Sequence, residues 1–119
     1  MTSVMIHNTQ GLDDVERASL AFVVGNTALA GGQDATVLFT LEGVRIPVIG
    51  CADGLQADGF PPLSEVMESF INSGGQIWVC GACAKPRDIG QEELIDGAQI
   101  VGAAAAVEAM VSGAKTISF

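Results

Sequence analysis

The run Ala35-Thr36-Val37-Leu38-Phe39-Thr40-Leu41 constrains the fold more than any other segment, because it is seven residues long, uncharged and almost continuously apolar. A strand with one wet face alternates apolar and polar residues, whereas a strand apolar throughout is buried on both faces, as in parallel sheets covered by helices. The run is therefore predicted to be a central strand of an α/β domain. Ser3 to His7 reads as a first strand, stopped by the turn-forming Asn8-Thr9-Gln10-Gly11. From Leu12 the apolar positions Leu12, Val15, Ala18, Phe22 and Leu29 recur at helical spacing up to Gly31-Gly32. A second helix starts at Pro61-Pro62 and carries Leu63, Val66, Met67, Phe70 and Ile71 before Gly74-Gly75.

Gln76 to Cys80 is the next predicted strand, and Gln91 to Ile95 one helical turn. Ile100, Ala103, Ala104, Val107, Met110 and Val111 mark a final helix, and Lys115 to Phe119 a closing strand. Glu42 to Phe60 holds four glycines, Pro47 and Cys51; it reads as a long functional loop or flap, with only Arg45 to Ile49 resembling a strand fragment. Strands alternating with helices in this way require parallel pairing through crossovers, so residues 1–119 form one α/β domain with helices on both faces of the sheet. In such sheets ligands bind outside the carboxyl ends of the strands, which gathers His7 to Thr9, the loop after Leu41, and Cys80 to Cys83.

Charge excludes whole classes of partner. Fourteen acidic against five basic side chains give a net charge of −9, which repels nucleic-acid backbones and anionic lipid surfaces. Only 16% of the residues are charged, so much of the surface is expected to be apolar or buried against other subunits, and a homo-oligomer is expected. The apolar stretches Ala18 to Ala30 and Ile100 to Val111 are too short or too interrupted to cross a bilayer about 30 Å thick and read as buried helices. Met1 to Gln10 show no basic region ahead of an apolar stretch, so a cytoplasmic location is expected. A single Trp and no Tyr leave little for a flavin to stack upon, and no glycine-rich nucleotide motif is present. No cofactor is expected.

The chemistry concentrates in Cys80-Gly81-Ala82-Cys83. A cysteine between a strand end and a helix start meets unpaired backbone N–H groups, which favour thiolate over thiol, and Lys85 and Arg87 add positive charge close by. Thiolate, persulfide or an anionic donor is what such a site holds. Small buried cysteines that only pack are the plain alternative. A zinc site would need four ligands from Cys80, Cys83, Cys51 and the lone His7, with no second pair at ribbon spacing, and no metal is expected. A thioredoxin-like dithiol uses the same Cys-x-x-Cys spacing, but earlier in its chain than here. Cys51 is a candidate relay thiol on a mobile loop, His7 a candidate proton shuttle or carboxylate partner, and Asn8 with Thr9 a weak match to a phosphate-cradling first loop.

Ile77-Trp78-Val79-Cys80-Gly81-Ala82-Cys83-Ala84, the basic pair, Asp88-Ile89, Glu93 to Ala98, Ile100 to Ala103 and Lys115 to Phe119 together resemble the DsrE/DsrF-like sulfur relay family. The resemblance covers the whole chain and is strongest from residue 70 onward. It implies a three-layer flavodoxin-like α/β/α domain with a mainly parallel sheet of about five strands, assembly into trimers or hexamers, and sulfane sulfur carried as a persulfide on Cys80. The chain would then act as a sulfurtransferase-like carrier, passing sulfur to an acceptor thiol or a TusA-like carrier protein. A low-molecular-weight persulfide is the alternative partner. Unlike members with one cysteine in this segment, the chain has Cys83 placed to attack a Cys80 persulfide, which makes a thiol-disulfide or persulfide reductase the second reading. An oligomeric, non-catalytic small-ligand-binding module is the third.

Overall fold

The computed structural model describes residues 3–119; Met1 and Thr2, included in the single-domain expectation, lie outside the described residues. Five strands, β1 (Ser3–Asn8), β2 (Asp34–Phe39), β3 (Gln76–Cys80), β4 (Ala98–Val101) and β5 (Lys115–Ser118), pair entirely in parallel in the order β4-β3-β2-β1-β5. Four α-helices connect them: α1 (Val15–Ala30), α2 (Leu63–Asn72), the single turn α3 (Gly81–Ala84) and α4 (Ala103–Val111). The chain steps one strand at a time from β1 to β3, so right-handed crossovers place α1 and α2 on one face. From β4 it returns past three strands to reach β5, and the same rule places α4 on the opposite face. Layers and parallel pairing are as expected, although flavodoxin itself orders its strands 2-1-3-4-5.

Register explains which side chains are buried. Ile6, Val37, Ile77 and Ala98 lie side by side across the sheet on the face covered by α1 and α2, and all four are buried. Helix α1 starts at Asp14, whose carboxylate accepts from the Arg17 backbone N–H, the usual cap for an orphan donor. Both helices bury the same stripe: Ala18, Ala21, Phe22 and Gly25 on α1; Leu63, Val66, Met67 and Phe70 on α2. The Phe70 ring meets Phe22 edge-on at 5.5 Å, and Phe22 meets Phe39 at 5.8 Å. Gly25 and Gly75 make room for Phe70, since a Cβ at either would overlap its ring.

Four expectations need correction. The central strand stops at Phe39, with Thr36 and Leu38 only half-buried on its second face and Leu41 exposed in the turn beyond it. Ile100 belongs to β4, not to the last helix: Gly102 separates the two, and Gln91 seals the outer edge by donating to the Ala98 carbonyl and accepting from the Ile100 N–H, both at 2.8 Å. The last helix is not buried either, for none of its nine residues is. Finally, residues 42 to 60 are not a loose flap. Leu41–Arg45 is a 3₁₀ turn, Val44, Ile46, Pro47 and Ala52 are core residues, and Val48 forms an isolated antiparallel bridge with Leu94 instead of a strand. Hydrogen bonds from Ile49 N–H to Glu93 O and from Ile95 N–H to Pro47 O, each 2.9 Å, pin the segment.

Candidate functional site around Cys80

β3 ends at Cys80 and α3 begins at the next residue, so the thiol stands at the carboxyl edge of the sheet. Strand alternation turns it away from the Phe22–Phe70 core, toward the face that α4 only partly covers. There it lines a cavity of about 190 Å³ together with Leu38 of β2 and Thr40 just after it, Val101 at the end of β4 and Gly102 beyond it, and Ala103, Ala106 and Val107 of α4. Thr40 connects this cavity to β1, because its hydroxyl shares a 2.7 Å hydrogen bond with His7 Nε2. Partial burial of the imidazole lowers the His7 pKa below its ordinary 6.5, which favours the neutral ring. Ser118 lies 3.4 Å from His7 Nδ1, at the opposite side of the ring.

Cys83 sits one turn further along, half-buried against the main core, and both thiols are free. The basic pair does other work. Arg87 is tied to Glu42 (Nε to Oε2, 2.6 Å) and donates to the Cys83 carbonyl at 3.0 Å; Arg45 also pairs with Glu42, at 2.9 Å. Glu42 is thereby held below the ordinary carboxylate range, by its hydrogen bond to Arg87 first and to Arg45 second. The Leu41–Arg45 turn packs against β3 and α3, so this three-residue cluster braces the backbone behind the cysteines. Lys85 is exposed, and neither it nor Arg87 lines the Cys80 cavity. The expected positive island at the thiol is therefore displaced from it.

The remaining candidates separate. Asn8 is fully buried, and its amide both donates to the Gln10 carbonyl and accepts from the Gln10 N–H, so it closes a turn rather than facing a ligand. Thr9 is spent on the chain's end, its N–H and hydroxyl both donating to the Phe119 carbonyl. Cys51, with its N–H bonded to the Val48 carbonyl at 3.0 Å, belongs to the pinned segment. Its neighbours Gly50 and Ala52 line a separate cavity of about 320 Å³ against Met67 and Ile71 of α2. Among the described residues, no group of three or more His, Cys, Asp or Glu side chains is placed to hold a metal ion. The sequence reading missed Thr40, whose importance comes from a partner 33 positions away in the chain.

The sequence profile of one family spans the chain from residue 2 to residue 119, that of DsrE/DsrF-like proteins. The chain belongs to the DsrE/DsrF-like family. Curated relatives include the uncharacterized protein MJ0760 of Methanocaldococcus jannaschii, 28% identical over 84% of this chain, and the uncharacterized protein MK0008 of Methanopyrus kandleri, 29% identical over 71%. The chain spans 36% of the length of the former and 67% of the latter, so it corresponds to about a third of MJ0760. Among solved structures, the ychN protein from E. coli superposes over the full length of both chains with a TM-score of 0.82 at 16% identity. A protein of unknown function, MTH1491 from Methanobacterium thermoautotrophicum, gives 0.76 over 99% of this chain and 98% of its own, also at 16%. These likenesses establish the α/β fold of this DsrE-like chain. No helix among the described residues is long and apolar enough to cross a membrane.

Proposed function

We propose that the protein is a sulfur-transfer carrier, in which Cys80 takes up sulfane sulfur as a persulfide and hands it to an acceptor thiol or a TusA-like carrier in a reducing, cytoplasmic compartment. Family membership is consistent with sulfur relay, and one observation carries the residue assignment: Cys80 is a free thiol at the carboxyl edge of β3, in the wall of an accessible cavity. In the step itself the Cys80 thiolate attacks a sulfane sulfur of the donor; a new S–S bond forms at Cys80, the bond from that sulfur to the rest of the donor breaks, and the remainder leaves as a thiolate. The thiol proton is lost to solvent before the attack; Thr40, in the same cavity wall, is hydrogen-bonded to His7.

Cys83, one helical turn away, supports a second reading. Its attack on the inner sulfur of a Cys80 persulfide would release hydrosulfide and leave a Cys80–Cys83 disulfide, which an external thiol must then reduce. Assembly into a trimer or hexamer is part of the same proposal. Val107, Met110 and Val111 form an exposed apolar stripe on α4, with Val111 82% accessible, and Ile117 on β5 is also exposed.

The test is to incubate reduced protein with a sulfane donor and read intact mass for the parent and for Cys51→Ser, Cys80→Ser and Cys83→Ser. The parent and Cys51→Ser should gain sulfur, Cys80→Ser should not, and Cys83→Ser should keep the persulfide longer than the parent. Uptake by Cys80→Ser equal to the parent's overturns the assignment. Sedimentation analysis of the same samples tests assembly, and a monomer at micromolar concentration overturns that part.

A further inference from the structure

We infer that the donor reaching Cys80 is an uncharged, apolar polysulfane, either a sulfur ring or a dialkyl polysulfide, rather than an anion such as thiosulfate. The inference rests on Cys80 being the sulfur-accepting residue and concerns what its cavity admits. Leu38, Val101, Ala106 and Val107 present only aliphatic surface to the thiol. The one hydroxyl in the wall, Thr40, is already bonded to His7 at 2.7 Å. No charged side chain lines the space, Arg87 being bound to Glu42 and Lys85 lying outside it.

An anion entering such a space exchanges its hydration shell for hydrocarbon with no compensating donor, whereas an apolar sulfur compound gains from the transfer. The net charge of −9 adds a long-range penalty for anions. At about 190 Å³ the cavity falls below the usual range for drug-sized ligands, which suits a compact donor. The chemistry closes without an added oxidant. The Cys80 thiolate attacks an inner sulfur of the polysulfane, one bonded only to sulfur, a Cys80 S–S bond forms, and the bond from that sulfur to the neighbour that leaves breaks. The departing fragment carries the electron pair as a thiolate or persulfide anion and takes up the proton given up by Cys80. From a ring, that fragment remains attached to Cys80 as the end of an opened chain.

The experiment compares two uncharged reagents, dipropyl trisulfide and bis(2-hydroxyethyl) trisulfide, so that global charge plays no part. Loss of the free thiol at Cys80 is followed by alkylation and peptide mass, and each rate is divided by that reagent's rate with glutathione. The parent should favour the dipropyl compound by about tenfold, and Val107→Asn should bring the ratio toward one. A ratio of one or below in the parent overturns the cavity inference while leaving Cys80 as sulfur acceptor. No reaction of Cys80 with either reagent, under conditions where glutathione reacts, overturns both.

Discussion

The two faces of the sheet are built to different standards. On the α1/α2 face, rows of Ile6, Val37, Ile77 and Ala98 meet interlocked helices, and Phe22, Phe39 and Phe70 leave glycine as the residue that fits at positions 25 and 75. On the other face, where Thr36, Leu38 and Trp78 are half-exposed, the covering helix is the nine-residue α4, none of whose residues is buried. The Cys80 cavity opens on that second face. Within one subunit, dense packing on one side leaves the other only partly covered, a division that follows from chain direction: the three connections from β1 to β4 advance one strand at a time and fall on one side, and only the return to β5 falls on the other.

The largest effect expected from this contrast is at Phe70. Phe70→Ala should cost about 3–5 kcal/mol in denaturant unfolding, as large-to-small core changes do, while Glu108→Gln, exposed on α4 and outside its apolar stripe, should stay within about 0.5 kcal/mol. Comparable losses at both sites would show that α4 is covered in solution, and the contrast would then be a property of the single subunit. Next comes Gly75→Ala, where a methyl group forced against the Phe70 ring should cost about 1–3 kcal/mol with the same unfolding slope. A neutral result would mean that the aromatic cluster has slack.

Smaller still is Glu42→Gln, which removes exposed ion pairs with Arg45 and Arg87. Its destabilisation should be below that of Gly75→Ala and should vanish in 1 M salt, where screening acts over about 3 Å. Because Glu42 is held below its ordinary pKa of 4.5, its contribution is present above that value and is lost as pH falls through the lowered native one. The smallest effect is at His7. Its pKa is depressed from 6.5 by burial, so stability from the neutral ring is complete above 6.5 and declines as pH falls through the native value. An imidazole titration by NMR should give a midpoint below 6.5; a midpoint at or above it would show that water reaches the ring freely.

Local signals served well where glycines bracket an apolar run. Gln76 to Cys80, between Gly75 and Gly81, reads as a strand to its last residue, and that end point is what locates the thiol. The same signals failed at β4, because Ile100, Ala103 and Ala104 fall at helical spacing across Gly102 and a four-residue edge strand leaves only a short imprint. In residues 42 to 60, glycines and polar residues imitate a free loop, yet Val44, Ile46 and Ala52 are buried by neighbours distant in sequence. Asn8 resembled a ligand-facing residue for a similar reason, since polarity in sequence does not tell whether the hydrogen bonds are spent at home.

What the sequence by itself determined was therefore local: the parallel α/β class, helices α1 and α2 with their buried stripes, and a cysteine at the end of a strand. These follow from hydrophobic period and turn chemistry, which act within a few residues. Only the tertiary structure decided that Arg87 belongs to Glu42, that His7 meets Thr40, that the neighbours of Cys51 line another cavity, and that the wall around Cys80 is aliphatic. Each of these depends on strand order and register, which bring together side chains tens of residues apart, and no periodicity along the chain records that pairing.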